Sequence, residues 1–306
     1  MTYSSGGLIE ATDYNNRATA VNSIWGTGAG ANGYGQSTTL SNVSVGGTVT
    51  ATNWASLIAR LDSLGNHQTG AASGITQPAS GGVITFLSTV DTKVAATNSN
   101  RLLFNSVRGT AAPTAIGNPV LSSSTAWYTS STKEFTVTFS STDTVRYFFN
   151  AGGIITFYTS QSGGTTSKSS DWGSFLTNQL GTISFGSNFC SRSGTGGDNL
   201  TQNTSVGFHN LTATYQTLFN IGSTSATADY GNNYATIEAK VGGALYGGSS
   251  NIIYFRVTLY DAAGDVLNDQ VDGTTAVYCG YTPPETTYLT ATWGTPTGAI
   301  ITNTQS

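Results

Sequence analysis

The stretch Asn251–Tyr260 alternates with a period of two. Ile253, Phe255, Val257 and Leu259 fall on one side, and Tyr254, Arg256 and Thr258 on the other. Only an extended strand sends every second side chain to the same face. The pattern recurs from about residue 106 onward. Phe135, Val137 and Phe139 alternate with Glu134, Thr136 and Thr138. Further strands are predicted over 181–185, 211–219, 234–241 and 274–278, with turns such as Val271-Asp272-Gly273 between them. Val145–Asn150 reads as another strand, and Gly152-Gly153 reads as a hairpin turn into Ile154–Tyr158. One helix is predicted among them, with Asp171 near its cap, Trp172, Phe175 and Leu176 on one face and Gly181 at its end. Many short strands with regular turns predict a mainly β fold, an antiparallel β-sandwich or an open barrel. The Thr-rich tail after Pro283-Pro284, with Tyr288 and Trp293, is expected to add a last strand or to lie on a neighbouring copy.

The first third follows a different period. Tyr14, Ala18, Val21 and Trp25 keep helical spacing, with Thr12 as the expected N-cap. A second helix is predicted from Thr52 or Asn53, with Trp54, Leu57, Ile58, Leu61 and Leu64 on one face and Gly65 closing it. Ile9-Glu10-Ala11-Thr12-Asp13-Tyr14 matches Val49-Thr50-Ala51-Thr52-Asn53-Trp54, and Gly6-Gly7 and Gly46-Gly47 precede the two. That register points to internal duplication. A third segment begins at Gly81-Gly82-Val83-Ile84 and keeps the spacing through Val90 and Val94. Residues 1–105 are thus expected to form an N-terminal helical region of two or three related units, serving attachment or oligomerisation. Residues 106–306 are expected to form the β-rich body.

Charge narrows the partners. Charged residues are 8% of the chain, where about 25% is usual. Yet 15 Tyr, 13 Phe and 5 Trp supply ample core, so the chain is expected to fold. Net charge keeps free proteins apart, so a surface this neutral is expected to be covered by other subunits. The alternative is a secreted or marine protein whose surface is simply rich in Ser, Thr and Asn. The few Lys and Arg are scattered, which argues against nucleic acid. No apolar run is long enough to span a membrane, and Met1–Gly7 has neither the basic nor the apolar part of a secretory leader. Cys190 and Cys279 form no CxxC and are expected as buried free thiols.

Chemistry is sparse. His67 and His209 are the only histidines, and neither lies near residues of metal-ligand spacing, so structural hydrogen bonding is expected of both. Asp261, Asp265, Asp269 and Asp272 crowd one turn region that either binds Ca²⁺ or is simply solvated; their spacing is not that of an EF-hand. A glycosidase needs two carboxylates at a set separation, and Asp143, Asp171 and Glu238 are candidates only if folding gathers them. The Gly-rich stretches 26–36 and 193–198 lack the Gly-Lys-Ser/Thr and G-x-G-x-x-G patterns of phosphate-binding loops. Tyr230, Tyr234, Tyr246, Tyr278 and Tyr281 are either core and interface residues or a stacking surface for a host cell-surface glycan. No catalytic, cofactor-binding or metal-binding residue is assigned.

Ile9–Asn15, Asn22–Gly28 and Gly33–Gln36, then Trp54 to His67-Gln68, then Arg146–Phe157, then Asp171-Trp172 through Leu180–Ile183, and finally Val271–Thr274 form an ordered series of patches. In that order they resemble structural proteins of tailed bacteriophages, especially cyanophages and related marine phages. The resemblance implies a virion component assembled in the host cytoplasm, of tail or tail-fibre type, with baseplate, collar or capsid decoration as alternatives. It implies a homo-oligomer that contacts other virion proteins, a trimer if it is a fibre. It carries over no catalytic residue.

Overall fold

The computed structural model describes residues 9–82, 84–104, 112–116, 122–224, 231–246, 250–262, 270–290 and 293–306. The chain divides into two compact units. One comprises Met1–Gly109, Arg146–Gly152 and Pro284–Trp293; the other comprises Thr110–Val145, Gly153–Pro283 and Gly294–Ser306.

The first unit is helical: α1 (Ala11–Trp25), α2 (Ala51–Thr69) and α3 (Leu87–Ser99). The matched lead-ins give α1 and α2 equivalent starts at Ala11 and Ala51, with Glu10 and Thr50 rather than Thr12, Thr52 or Asn53 as N-caps. In α2, Asn53 N–H donates to Thr50 Oγ1 (3.3 Å) and Thr50 N–H to Asn53 Oδ1 (2.9 Å), a reciprocal capping box. In α1, Asp13 takes the place of Asn53, and its Oδ2 accepts from Glu10 N–H at 3.0 Å. The first aromatic of each helix meets the other: Tyr14 and Trp54 pack edge to face at 5.6 Å, and Trp54 meets Phe86 at 5.7 Å. Asn15 and Asn22, two turns apart on α1, each bind one backbone residue of the following segment, Val43 and Leu40, through both amide atoms at 2.8 Å.

Three elements differ from the sequence expectation. The strand expected over 211–219 runs over Gln216–Gly222. Helix α2 does not stop at Gly65; it runs to Thr69 and ends on Gly70, at φ 76°. Gly65 is needed for space, because a Cβ there would collide with the Ala71 carbonyl. And 145–150 is not a strand but most of helix α4 (Thr142–Asn150). Val145, Phe148 and Phe149 are buried at helical spacing, and Thr144 N–H donates to Ser141 Oγ (3.1 Å) at its start. Gly152-Gly153 therefore ends a helix and does not turn a hairpin.

The second unit is a sandwich of two six-stranded antiparallel sheets. Its strands are β1 (Thr114–Ala115), β2 (Ser122–Ser123), β3 (Ser130–Thr138), β4 (Ile154–Ser162), β5 (Thr182–Phe185), β6 (Cys190–Arg192), β7 (Asp198–Gln202), β8 (Gln216–Gly222), β9 (Tyr234–Val241), β10 (Ile252–Tyr260), β11 (Thr274–Thr282) and β12 (Thr297–Gln305). The first sheet, sheet A, runs β1-β11-β4-β5-β6 with β2 also on β11. The second, sheet C, runs β12-β3-β10-β9-β8-β7. The alternating apolar residues face inward and close the core between the sheets. Phe135 and Phe255 of sheet C meet Phe157 of sheet A at 5.5 and 4.9 Å, and Phe185 meets Phe255 at 5.3 Å.

Between β4 and β5 lies α5 (Ser167–Ser174), continued by a π-helical stretch Phe175–Leu180 that ends at Gly181. Its N-cap is Thr166, whose Oγ1 accepts from Ser169 N–H at 3.1 Å, and Asp171 sits inside the helix. The tail does form a last strand, β12, on the edge of sheet C.

Candidate functional site

The first Gly-rich stretch folds around a cation. Arg146 donates from Nη1 to Gly30 O and from Nη2 to Thr27 O, both at 2.8 Å. Asn150 Nδ2 donates to Ala31 O (2.9 Å) and Gly33 O (2.8 Å). A phosphate cradle must point N–H groups inward. This loop points carbonyls at donors, so its glycines serve the loop's own closure. Gly35, at φ 72°, lies flat against the Tyr147 ring.

His67 is buried in the same unit, its ring edge-on to Tyr34 at 5.3 Å. Burial pushes its pKa down to about 4, against a smaller upward pull from a hydrogen bond to the Ala151 backbone. It is held neutral, beside Gln68, which donates to Tyr34 Oη and to Thr97 O at 2.9 Å. His209, in the second unit, bonds Tyr246 Oη through Nδ1 and stacks on that ring at 5.9 Å.

Asp261 and Asp272, the described residues of the acidic turn, have separate partners. Asp261 is buried and ion-paired with Lys168 at 2.5 Å. Asp272 instead holds the start of α5. It accepts from Thr165 N–H (2.9 Å), Thr165 Oγ1 (2.6 Å) and Ser169 Oγ (2.6 Å), and these bonds push its pKa well below the usual carboxylate range. Asp265 and Asp269 lie outside the described residues. Among the described residues no group of three or more His, Cys, Asp or Glu is placed to hold a metal ion.

Asp143 stands in the first turn of α4, Asp171 in α5 and Glu238 in β9. The register puts different partners beside Glu238. Glu134, Arg256 and Glu238 form one row across β3, β10 and β9 on the outward side of sheet C. Arg256 Nε donates to Glu238 Oε2 at 2.7 Å, and Tyr215 Oη donates to Glu134. The Arg256 guanidinium lies 3.9 Å from the Tyr215 ring centre and Lys240 Nζ lies 4.4 Å from it. Each carboxylate has a donor, and the ring carries two cations. The cluster braces three adjacent strands, β3, β10 and β9, and the residue that precedes β8. No local sequence pattern marks it, because its hydrogen-bonded partners are 18 and 81 positions apart. The outward places of Glu134 and Arg256 in their alternating runs were the available signal.

The tyrosines divide. Tyr234 stacks on Tyr260 at 4.6 Å, and Tyr281 is half-buried in β11. Tyr278 and its cross-strand partner Tyr158 stack at 4.8 Å on the outer face of sheet A and stay 41% and 44% exposed. Tyr230 lies outside the described residues. Cys190 and Cys279 are free and buried, and burial pushes both thiols up to about 12, away from reactivity.

Exposed apolar surface points elsewhere. In the second unit the exposed large aliphatic side chains among the described residues are Leu200 (58%), Ile300 (57%) and Ile301 (50%). Leu200 is in β7 and the two isoleucines are in β12, the two end strands of sheet C. No protein-family model, curated protein or solved structure matches the chain. Among the described residues no helix is long and apolar enough to cross a membrane.

Proposed function

We propose that the chain is a non-enzymatic structural protein of a bacteriophage virion, of tail or tail-fibre type, working as one copy in a homo-oligomer that contacts other virion proteins. The observation that carries the assembly part is the placing of Leu200, Ile300 and Ile301 on the end strands of sheet C. End strands of a free monomer are usually blunted by charge, proline or a bulge. β12, Thr-Gly-Ala-Ile-Ile-Thr-Asn-Thr-Gln, has one bulge between Ile300 and Thr302 and neither charge nor proline. A chain with 8% charged residues has little else to keep such edges apart. The phage part rests on the ordered sequence patches. An antibody against the chain, applied to particles of the virus that encodes it, is expected to decorate the tail. Particles that contain none of the chain would overturn the virion reading.

The exposed Tyr158–Tyr278 stack favours a second reading, a module that recognises host cell-surface glycan. Its neighbours on the outer face of sheet A include the hydroxyl residues Thr156, Ser160, Thr182 and Ser184, beside Ala276 and Gly280. Ring faces beside hydroxyls suit sugars. A glycan array distinguishes the two: reproducible hits that Tyr278→Ala removes support binding, and a blank array leaves assembly alone.

A further inference from the structure

We propose that the two edges of sheet C are complementary halves of one head-to-tail contact, β12 of one copy pairing with β7 of the next. This rests on the reading of the chain as a homo-oligomer, and it names the surface that such an oligomer uses.

Three observations carry it. The first is parity. Every neighbouring pair in the order β12-β3-β10-β9-β8-β7 is antiparallel, so the two end strands run in opposite directions. When a second copy in the same sense is set beside the first, its β7 lies antiparallel to β12. The sheet then continues with the antiparallel sense it has inside each copy.

The second is the division of exposed apolar surface. Leu200 projects from one end strand, and Ile300 and Ile301 from the other. A two-fold contact of β12 with β12 would cover the isoleucines and leave Leu200 in water. A head-to-tail contact covers all three.

The third is the near absence of charge and proline. β12 has no charged residue and no proline, and β7, Asp-Asn-Leu-Thr-Gln, has one charge at its first position. Each strand carries a single bulge against its neighbour, between Ile300 and Thr302 in β12 and between Asn199 and Thr201 in β7. The partner is therefore another strand of neutral, Thr- and Asn-rich character, and β7 of a second copy supplies one. The β12 strand is also fixed in place for the purpose. It pairs with β3 along its length, and Lys133 Nζ donates to Asn303 Oδ1 at 2.8 Å. Past its end, Ser306 O accepts from Tyr128 and Thr129 N–H, both at 2.8 Å.

The test measures the mass of the full chain by light scattering for the parent, Ile301→Lys and Leu200→Lys. Both positions are exposed, so each variant is expected to keep the parent's circular-dichroism spectrum, which is checked in parallel. The parent is expected to be an oligomer, and each variant on its own is expected to fall to the monomer at the same protein concentration. If Leu200→Lys stays assembled while Ile301→Lys does not, the contact is β12 with β12 and the head-to-tail proposal is wrong. If both variants stay assembled, the oligomer uses another surface; the proposal fails and the assembly reading stands. If the parent itself is a monomer, both fail.

Discussion

Three ionisable residues make the protein's response to pH specific. His67 has a folded pKa of about 4 against an ordinary 6.5, because burial disfavours its charged form. The unfolded chain therefore takes up a proton first. Stability in the helical unit is lost as pH falls from about 6.5 to about 4, by at most about 3 kcal/mol. An NMR titration of the ring is expected to show no protonation until pH approaches 4. Asp272 is also depressed, by the hydroxyls and N–H groups of Thr165, Thr166 and Ser169. Its contribution is present above the ordinary carboxylate pKa and is lost as pH falls below it. Asp272→Asn is expected to lower the melting temperature at neutral pH and to flatten the acid limb below pH 4. Lys133 behaves in the opposite sense. It is fully buried on the core side of β3, and burial pushes its pKa down to about 8. The unfolded chain holds that proton up to about 10.5, so stability rises as pH climbs from 8 to 10.5. Lys133→Met is expected to raise stability at neutral pH by on the order of 1–2 kcal/mol, read from chemical denaturation. Its partner Asn303 is exposed, so the released carbonyl returns to water.

At the scale of elements, the long alternating strands are readable, while β6, β7 and one helix are not, and the strand expected over 211–219 begins only at Gln216. The runs 234–241 and 251–260 became β9 and β10 because each buries one face and leaves the other half-exposed, which the period of two records directly. The run 145–150 is continuously apolar at its centre, and such a run does not separate strand from helix. What decides it is the Ser141-Thr142-Asp143-Thr144 lead-in, a helix start. Gly65 was misread for a related reason. A glycine after an apolar stripe looks like a cap, but here the stripe continues through Gln68, and the close approach of Ala71 is what excludes a side chain. The same kind of constraint holds at Gly35, where the backbone is left-handed and a Cβ would enter the Tyr147 ring. Gly35→Ala is expected to cost more than about 2 kcal/mol in the helical unit, measured by thermal melting. Trp54→Ala, which removes the ring shared by Tyr14 and Phe86, is expected to cost about 3–5 kcal/mol.

At the scale of the whole molecule, the fold class was legible in the sequence and the candidate surfaces were not. Alternation specifies strands and their inner faces, but it carries no information on which strand ends a sheet. β12 and β7 became edges only through pairing, and Leu200, Ile300 and Ile301 acquire meaning only there. The brace of Glu134, Arg256, Glu238 and Tyr215 is likewise a product of register. The central claim is that a neutral surface with nearly uncharged sheet edges works in contact with copies of itself. Light scattering on the purified full chain at neutral pH tests it most directly. The expected result is a stable mass that is a multiple of 31.6 kDa and holds on dilution. A mass of 31.6 kDa at every concentration would contradict it.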